Sequence, residues 1–213
     1  KLDVRKHPFS KRIRGFYPVI LDIETTGLDA NEHGILEISI VLLTYNEKAD
    51  KNDENSSFSI LEQYDYIIKP HSGAKVDPKA LEVNKININS KGRSILAKDE
   101  CDAFKDMFSK IKKQMKAHDC RRAILVGHNA FFDQGFLHAA IKRCGFKNRS
   151  PFHPFSIIDT VSLGALACGH TVLSSICKKL DISFDAKKAH SASYDALKTA
   201  EVFCLIMNKS IYK

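Results

Sequence analysis

Four carboxylates and one histidine in this chain have the residue types and spacing that do chemistry. Asp22 and Glu24 stand two apart in "LDIETTG". On a strand, residues two apart point to the same face. Two carboxylates on one face of a buried strand repel each other and are costly to desolvate. Divalent cations relieve both problems, and oxygen donors with water positions left open suit Mg²⁺ or Mn²⁺. A D-x-E alone would equally fit a solvated strand end carrying two unrelated acids. It does not stand alone. "GHNAFFDQGF" places Asp133 directly after two phenylalanines, on the first turn of an amphipathic helix whose core has no use for a charge. "AHSASYDA" supplies His190 and, five residues later, Asp195 at the start of the last helix. Carboxylates converging from three element ends are what two-metal phosphoryl transfer requires. They clamp two ions roughly 3.5–4 Å apart, one activating water and one stabilising the leaving oxygen. Histidine, a residue type that ionises near neutrality, can take the water proton.

The elements that must position these residues follow from the hydrophobic pattern. "YPVILDIETTG" reads as a buried strand ending in a turn. Ile35–Tyr45 and Phe58–Pro70 read as second and third strands, forming an antiparallel meander. The polar segment Asn46–Ser57 between them reads as a hairpin loop. A long helix is expected over Ala97–His118, then a short buried strand over Ala123–Gly127. Asn129 is the expected cap of the next helix, whose apolar face includes Phe132, Phe136, Leu137, Ala140 and Cys144. A fifth strand over Phe155–Asp159 and helical stretches near Thr160–Cys168 and Thr171–Leu180 precede a last helix over Ala192–Met207. Three strands followed by alternating helices and strands predict one α/β domain over residues 1–213, built on a mixed sheet, with residues 1–15 as a basic arm.

Composition narrows the partners. The 213 residues carry a formal net charge of +8, and the charge clusters. Residues 1–14 hold six Lys or Arg against Asp3 alone, residues 105–122 hold seven against Asp106 and Asp119, and residues 142–149 hold four and no acid. Clustered cations attract polyanions, so nucleic acid is the expected partner. No apolar run is read as the roughly 20 residues of a membrane span, and no secretory leader is read at the start. A cytoplasmic location is therefore expected. The six cysteines lack C-x-x-C pairs. They read as buried reduced thiols rather than disulfides or zinc ligands. His128 reads as a turn residue, and the remaining histidines show no ligand spacing.

"DIETTG", "GHNAFFD" and "HSASYD" together resemble the three exonuclease motifs of the DEDD superfamily of 3′→5′ exonucleases. The histidine five positions before the last acid marks the subgroup with a catalytic histidine. Within it, "RIRGFYPVILDIETTG" and "SPFHPF" before "IIDT" are most similar to the ribonuclease T family. The resemblance covers nearly the whole chain. It implies a ribonuclease-H-like fold, a five-stranded mixed sheet flanked by helices. It also implies a Mg²⁺-dependent 3′→5′ exoribonuclease with two ions per site, Mn²⁺ substituting, that trims tRNA precursors and other structured RNA with 3′ overhangs and acts on DNA as well. Asp22 would bridge both ions, Glu24 and Asp195 would complete the first site, Asp133 would hold the second ion, and His190 at the metal site would be the general base. Asp159 matches another acid of the family. Phe132 and Phe155 match rings that stack on the terminal bases, whereas Leu28 and Val83 stand where the family has two more rings. Lys79 stands where it has a glutamate. A homodimer is implied, in which Arg12, Arg14, Lys116 and Arg122 would contact phosphates bound at the other subunit's site. The competing readings are a proofreading exonuclease subunit or an oligoribonuclease of the same superfamily, and a nucleic-acid-binding module whose site has decayed.

Overall fold

The computed structural model describes residues 13–45 and 58–209. Arg12, most of the basic arm and the Asn46–Ser57 loop lie outside the described residues. Five strands form one sheet in the order β3-β2-β1-β4-β5. They are β1 (Phe16–Thr25), β2 (Ile35–Tyr45), β3 (Phe58–Ile67), β4 (Arg122–Gly127) and β5 (Phe152–Asp159). β1, β2 and β3 pair antiparallel, as the meander reading requires. β4 and β5 then add in parallel on the other side of β1. The mixed sheet therefore agrees with the expectation, and β1, which carries Asp22 and Glu24, is its central strand.

The helices are α1 (Pro78–Asn84), α2 (Lys91–Leu96), α3 (Glu100–Ala117), α4 (Ala130–Arg143), α5 (Thr160–Cys168), α6 (Leu173–Lys179) and α7 (Ala192–Lys209). α1 and α2 were absent from the sequence reading. Asp77 with Pro78 starts α1, and Ser90 starts α2 by accepting the Arg93 amide. The long helix begins at Glu100 rather than Ala97. Asp99 caps it, accepting from the Cys101 amide at 2.8 Å, and Lys98 is drawn instead into a bridge with Ile68. Residues 160–179 form a 20-residue apolar stretch of mean hydropathy 1.4 that the sequence reading passed over. The chain breaks it at Gly169, which sits at φ 74°, into helices of nine and seven residues. Each is well short of a membrane span.

Side-chain parity places the site. Tyr17 and Asp22 point to opposite faces of β1. Tyr17 meets His118 at the end of α3, and its hydroxyl donates to the Leu43 carbonyl at 2.6 Å. The other face receives α7. Ala192, Ala196 and Ala200 recur every four residues there and let the helix lie close, while Phe203 packs against Phe58 of β3. Asn208 clasps the Phe58 backbone through both its amide and its carbonyl. β5 starts at Phe152, three residues earlier than expected, and runs through Pro154. The amides of Phe155 and Ser156 donate to the His153 ring at 3.2 and 2.9 Å.

The thiol reading needs one correction. Cys101 at the start of α3 and Cys144 at the end of α4 form a disulfide, with Cα atoms 5.4 Å apart. Spacing alone gave no sign of it, because the pair is 43 residues apart and is brought together by packing of the two helices. Cys168, Cys177 and Cys204 are free thiols. Closing a loop of that length stabilises by ~4 kcal/mol in the chain-entropy account. Cys101→Ser should therefore lower the melting temperature of the oxidised protein. A reductant should bring the unsubstituted protein down to the same value, read by paired melting curves.

Candidate active site

Asp22 and Glu24 lie on the last turns of β1's pleat, beyond the point where β4 stops pairing at Val126 opposite Ile20. Carboxylate oxygens of Asp22, Glu24 and Asp195 come within 4.8 Å of one another. Asp195 reaches them from the first turn of α7. Its Oδ2 accepts the His190 amide at 3.0 Å, which folds the "HSASYD" segment back on itself. His190 takes φ 63° to make that turn and leaves its ring exposed beside the carboxylates.

Asp133 arrives from the third side and is only 3% exposed. The Ile23 amide, between Asp22 and Glu24 on β1, is close enough to hold its pKa down against burial. This contact needs Gly127. A side chain on that residue would come within 3.1 Å of Ala130 and 3.3 Å of the Asp133 Oδ2. Asn129 does not cap α4 as expected, because it sits at φ 63° and its side chain makes no cap bond. Asp159 does the capping from the end of β5. It accepts the amides of Asn129 and Ala130 at 3.2 and 2.9 Å, and that of Val161 in α5 at 2.8 Å. One carboxylate thus starts two helices, and its observed partners are backbone amides.

The electrostatics follow from this crowding. Burial pushes Asp22 well above the usual carboxylate range, and Asp133, Glu24 and Asp195 push it further. Burial also raises Asp133, against the lowering effect of the Ile23 amide. Glu24 is raised to about 7, by burial first and then by Asp195 and Glu37, while Asn84 lowers it by hydrogen bonding. Asp195 is raised by burial and eased by the His190 amide and by the His190 and His128 rings. A buried set of oxygen donors that repel one another is the donor set a hard divalent cation fits.

Several contributors escaped the sequence reading. Glu37, an acid inside the apolar run of β2, lies opposite Glu24 in the register. The signal was present, since the same oddity exposed Asp133. Buried Asn84 at the end of α1 donates to the Thr25 carbonyl at 3.1 Å. His128, half-buried, places Nδ1 2.9 Å from the Thr160 hydroxyl, which itself donates to the Gly127 carbonyl. That suits the turn role read for it.

The substrate-side residues separate. Phe132 is half-buried and packs on the core, its ring 5.0 Å from that of Phe136. The ring left open on this turn is Phe131, 69% exposed. Phe155 is 84% exposed, but stands four residues before Asp159, roughly 13 Å back along the strand. Its ring neighbour is His153, so the structure does not pair it with Phe132. Leu28 and Val83 are exposed near the turn after β1 and on α1. Arg14 stacks on Phe16 at 5.3 Å, and Arg121 stacks on the same ring at 5.5 Å. Arg122 begins β4 opposite Phe16, and Lys116 is exposed in the last turn of α3. This basic cluster sits six residues along β1 from Asp22, roughly 20 Å away.

Sheet order and carboxylates together define a class, the ribonuclease-H-like 3′→5′ exonucleases. Solved structures support the fold. The nuclease domain of the DEDDh member 3′hExo, bound to rAMP, superposes with a TM-score of 0.61 at 17% identity, covering 91% of this chain and 92% of that one. E. coli exonuclease I in complex with a dT13 oligonucleotide gives 0.65 at 15% identity, over 90% of this chain but only 41% of that longer chain. The exonuclease family RNase_T matches residues 19–203. Ribonuclease T of Shewanella frigidimarina is 46% identical over 94% of this chain and 86% of its own length. Ribonuclease T of Hahella chejuensis is 45% identical over 96% and 89%. The chain belongs to this exonuclease family, and its activity is that of a 3′→5′ exoribonuclease.

The raised Glu24 pKa makes a prediction for the metal-free protein. Between the ordinary 4.5 and about 7 the native state holds a proton that the unfolded chain releases. Native stability therefore falls as pH rises through that window, by roughly 3 kcal/mol at most from this group. Melting temperatures measured in chelator should decline across it, and adding Mg²⁺ or Mn²⁺ at the upper end should restore them. A flat profile in chelator would contradict the crowded-carboxylate account.

Proposed function

We propose that this chain trims the 3′ ends of structured RNA, tRNA precursors among them. It would release nucleoside 5′-monophosphates as a Mg²⁺-dependent homodimer in the cytoplasm. The observation that carries this reading is the convergence of Asp22, Glu24 and Asp195 within 4.8 Å, with Asp133 buried against the same strand and His190 at the rim.

Two divalent cations would supply positive charge to the attacking and leaving oxygens of the scissile phosphate. Asp22, Glu24 and Asp195 are the residues to hold one, and Asp22 with Asp133 the other. The His190 ring is free to swing from its exposed turn and accept the proton of the attacking water. Asp195 keeps that turn in place through the His190 amide. Exposed Phe131 and Leu28 leave apolar surface beside the cleft for the terminal base. Phe155 would meet the strand further back.

The roughly 20 Å between the basic cluster and the carboxylates supports the dimer reading. A duplex gripped at Arg14, Lys116 and Arg122 places its 3′ tail more easily in a partner's cleft than in its own. A proofreading subunit or an oligoribonuclease has less use for such a remote cationic surface. A decayed binding module would not keep all five polar groups together.

Two outcomes are expected. Asp22→Asn, Glu24→Gln, Asp133→Asn and Asp195→Asn should each abolish most turnover of a 3′-tailed RNA hairpin. His190→Ala should slow single turnover by ~10²–10⁴-fold while leaving RNA affinity nearly intact. Near-normal rates in any two of the acid variants would sink the reading, as would unchanged rates without Mg²⁺. Separately, mixing an Arg14/Lys116/Arg122 neutralised variant with Asp22→Asn should regain activity through hybrid dimers. No recovery, with subunit exchange confirmed, rules out the trans arrangement. Comparing the hairpin with dinucleotides and mismatched DNA separates the competing enzymes.

A further inference from the structure

We propose that Asp65 and Gln63 of β3, with Ser39 of β2, form a positioning clamp on Ser193 that sets the turn carrying His190 and Asp195 against Asp22 and Glu24. The proposal rests on the catalytic reading of Asp195 and His190 given above.

α7 meets the sheet through Ala192, Ala196 and Ala200. Methyl groups let a helix come close but offer little resistance to sliding along its axis. Asp195 must nevertheless keep a carboxylate oxygen within 4.8 Å of those of Asp22 and Glu24. At the far end of the helix, Asn208 fixes it to the Phe58 backbone of β3. The near end needs an equivalent hold, and β3 supplies that as well.

Ser39 lies directly opposite Asp22 across the β1–β2 ladder, and Asp65 directly opposite Ser39 across the β2–β3 ladder. The three side chains therefore form one transverse row on the face that receives α7. Ser39 is wholly buried, and a buried hydroxyl needs a partner. It donates to the Asp65 Oδ1 at 2.7 Å. The Asp65 Oδ2 accepts the Ser193 hydroxyl at 3.1 Å. One carboxylate thus joins the row of Asp22 to the first turn of α7. Gln63, two residues earlier on β3, points to the same face. Its amide nitrogen donates to the Ser193 carbonyl at 2.8 Å and to the Ser193 hydroxyl at 2.9 Å. Ser193 is held by backbone and side chain together, which fixes its orientation as well as its position.

Ser193 lies three residues after His190 and two before Asp195. That stretch closes on itself twice. The His190 amide donates to the Asp195 Oδ2 at 3.0 Å, and the Asp195 amide to the Ser191 carbonyl at 2.9 Å. A displacement of Ser193 is therefore passed to both functional side chains. The oxygens that gather within 4.8 Å belong to Asp22, Glu24 and Asp195, and Asp65 is not among them. Asp65 acts through Ser193 rather than as a ligand.

The experiment measures kcat and KM on a 3′-tailed RNA hairpin with Mg²⁺, alongside melting curves and Mn²⁺ binding stoichiometry. Ser193→Ala and Asp65→Ala should each lower kcat by up to about 10²-fold, the scale of a misplaced reacting group, with KM little changed and both Mn²⁺ retained. The double variant should be no slower than the slower single one, because both changes break the same link. Ser193→Thr keeps the hydroxyl and should recover most of the rate. If Asp65→Ala does not fold, the two Ser193 variants decide alone. A normal kcat in Ser193→Ala would overturn the proposal. So would losses confined to KM or to melting temperature, losses that add in the double variant, or Ser193→Thr as slow as Ser193→Ala. One Mn²⁺ lost in Asp65→Ala but kept in Ser193→Ala would make Asp65 a ligand, and would overturn it too. Asp195→Asn serves as the benchmark. If it is as active as the unsubstituted protein, the catalytic reading falls and this proposal falls with it. If it is inactive while Ser193→Ala is normal, the clamp alone is refuted.

Discussion

Mutual repulsion among buried carboxylates is the constraint around which the molecule is arranged. Asp22, Glu24, Asp133 and Asp195 are each pushed up by burial, and neighbouring carboxylates push Asp22, Glu24 and Asp133 up further. Nothing in an apolar core would bring four such groups together, so separate elements must force them there. The central strand supplies two, the helix after β4 the third, and the last helix the fourth. Each approach depends on a local device. Gly127 lets α4 come in close, Asp159 anchors its leading amides, and the alanines of α7 let that helix lie against the sheet.

These devices share a logic. Where a carboxylate must stay near another, a backbone amide is aimed at it. The His190 amide donates to Asp195, and the Ile23 and Ala192 amides lower the pKa of Asp133 and Glu37. Amide dipoles stabilise an anion without adding a mobile cation that would compete with a divalent ion for the same oxygens. The Arg93 guanidinium is directed at Glu37, outside the close cluster. The site thus keeps its negative charge in reserve while the surrounding backbone makes that charge tolerable.

Much of this was legible in the sequence, for a physical reason. An acid inside an apolar run has few innocent explanations, so Asp22, Glu24, Asp133 and Asp195 stood out, and the hydrophobic pattern placed all five strands. What escaped was information held between elements. Glu37 looked like one polar residue in an otherwise apolar strand until the register set it opposite Glu24. Asn129 carried the residue type of a helix cap, but its backbone turned left-handed and Asp159, 30 residues on, took the role. α1 and α2 are too short for periodicity to reveal, and their caps Asp77 and Ser90 read as loop. Cys101 and Cys144 carried no mark of their pairing, because the contact is made by helix packing. Exposure also had to be seen rather than read. Of the two adjacent phenylalanines before Asp133, Phe132 packs inward and Phe131 is open.

The unusual start of β5 bears on how this sheet can meet another molecule. β5 is an edge strand, and an edge normally offers a row of free amides on which a foreign strand can build. Here Pro154 has no amide to give, and the next two, on Phe155 and Ser156, are already spent on the His153 ring. Three consecutive positions are silent toward strand addition. Strand addition from this side is disfavoured along that stretch. Whatever docks there must do so through the exposed Phe155 ring and its neighbours, contacts that form and release without unzipping a ladder.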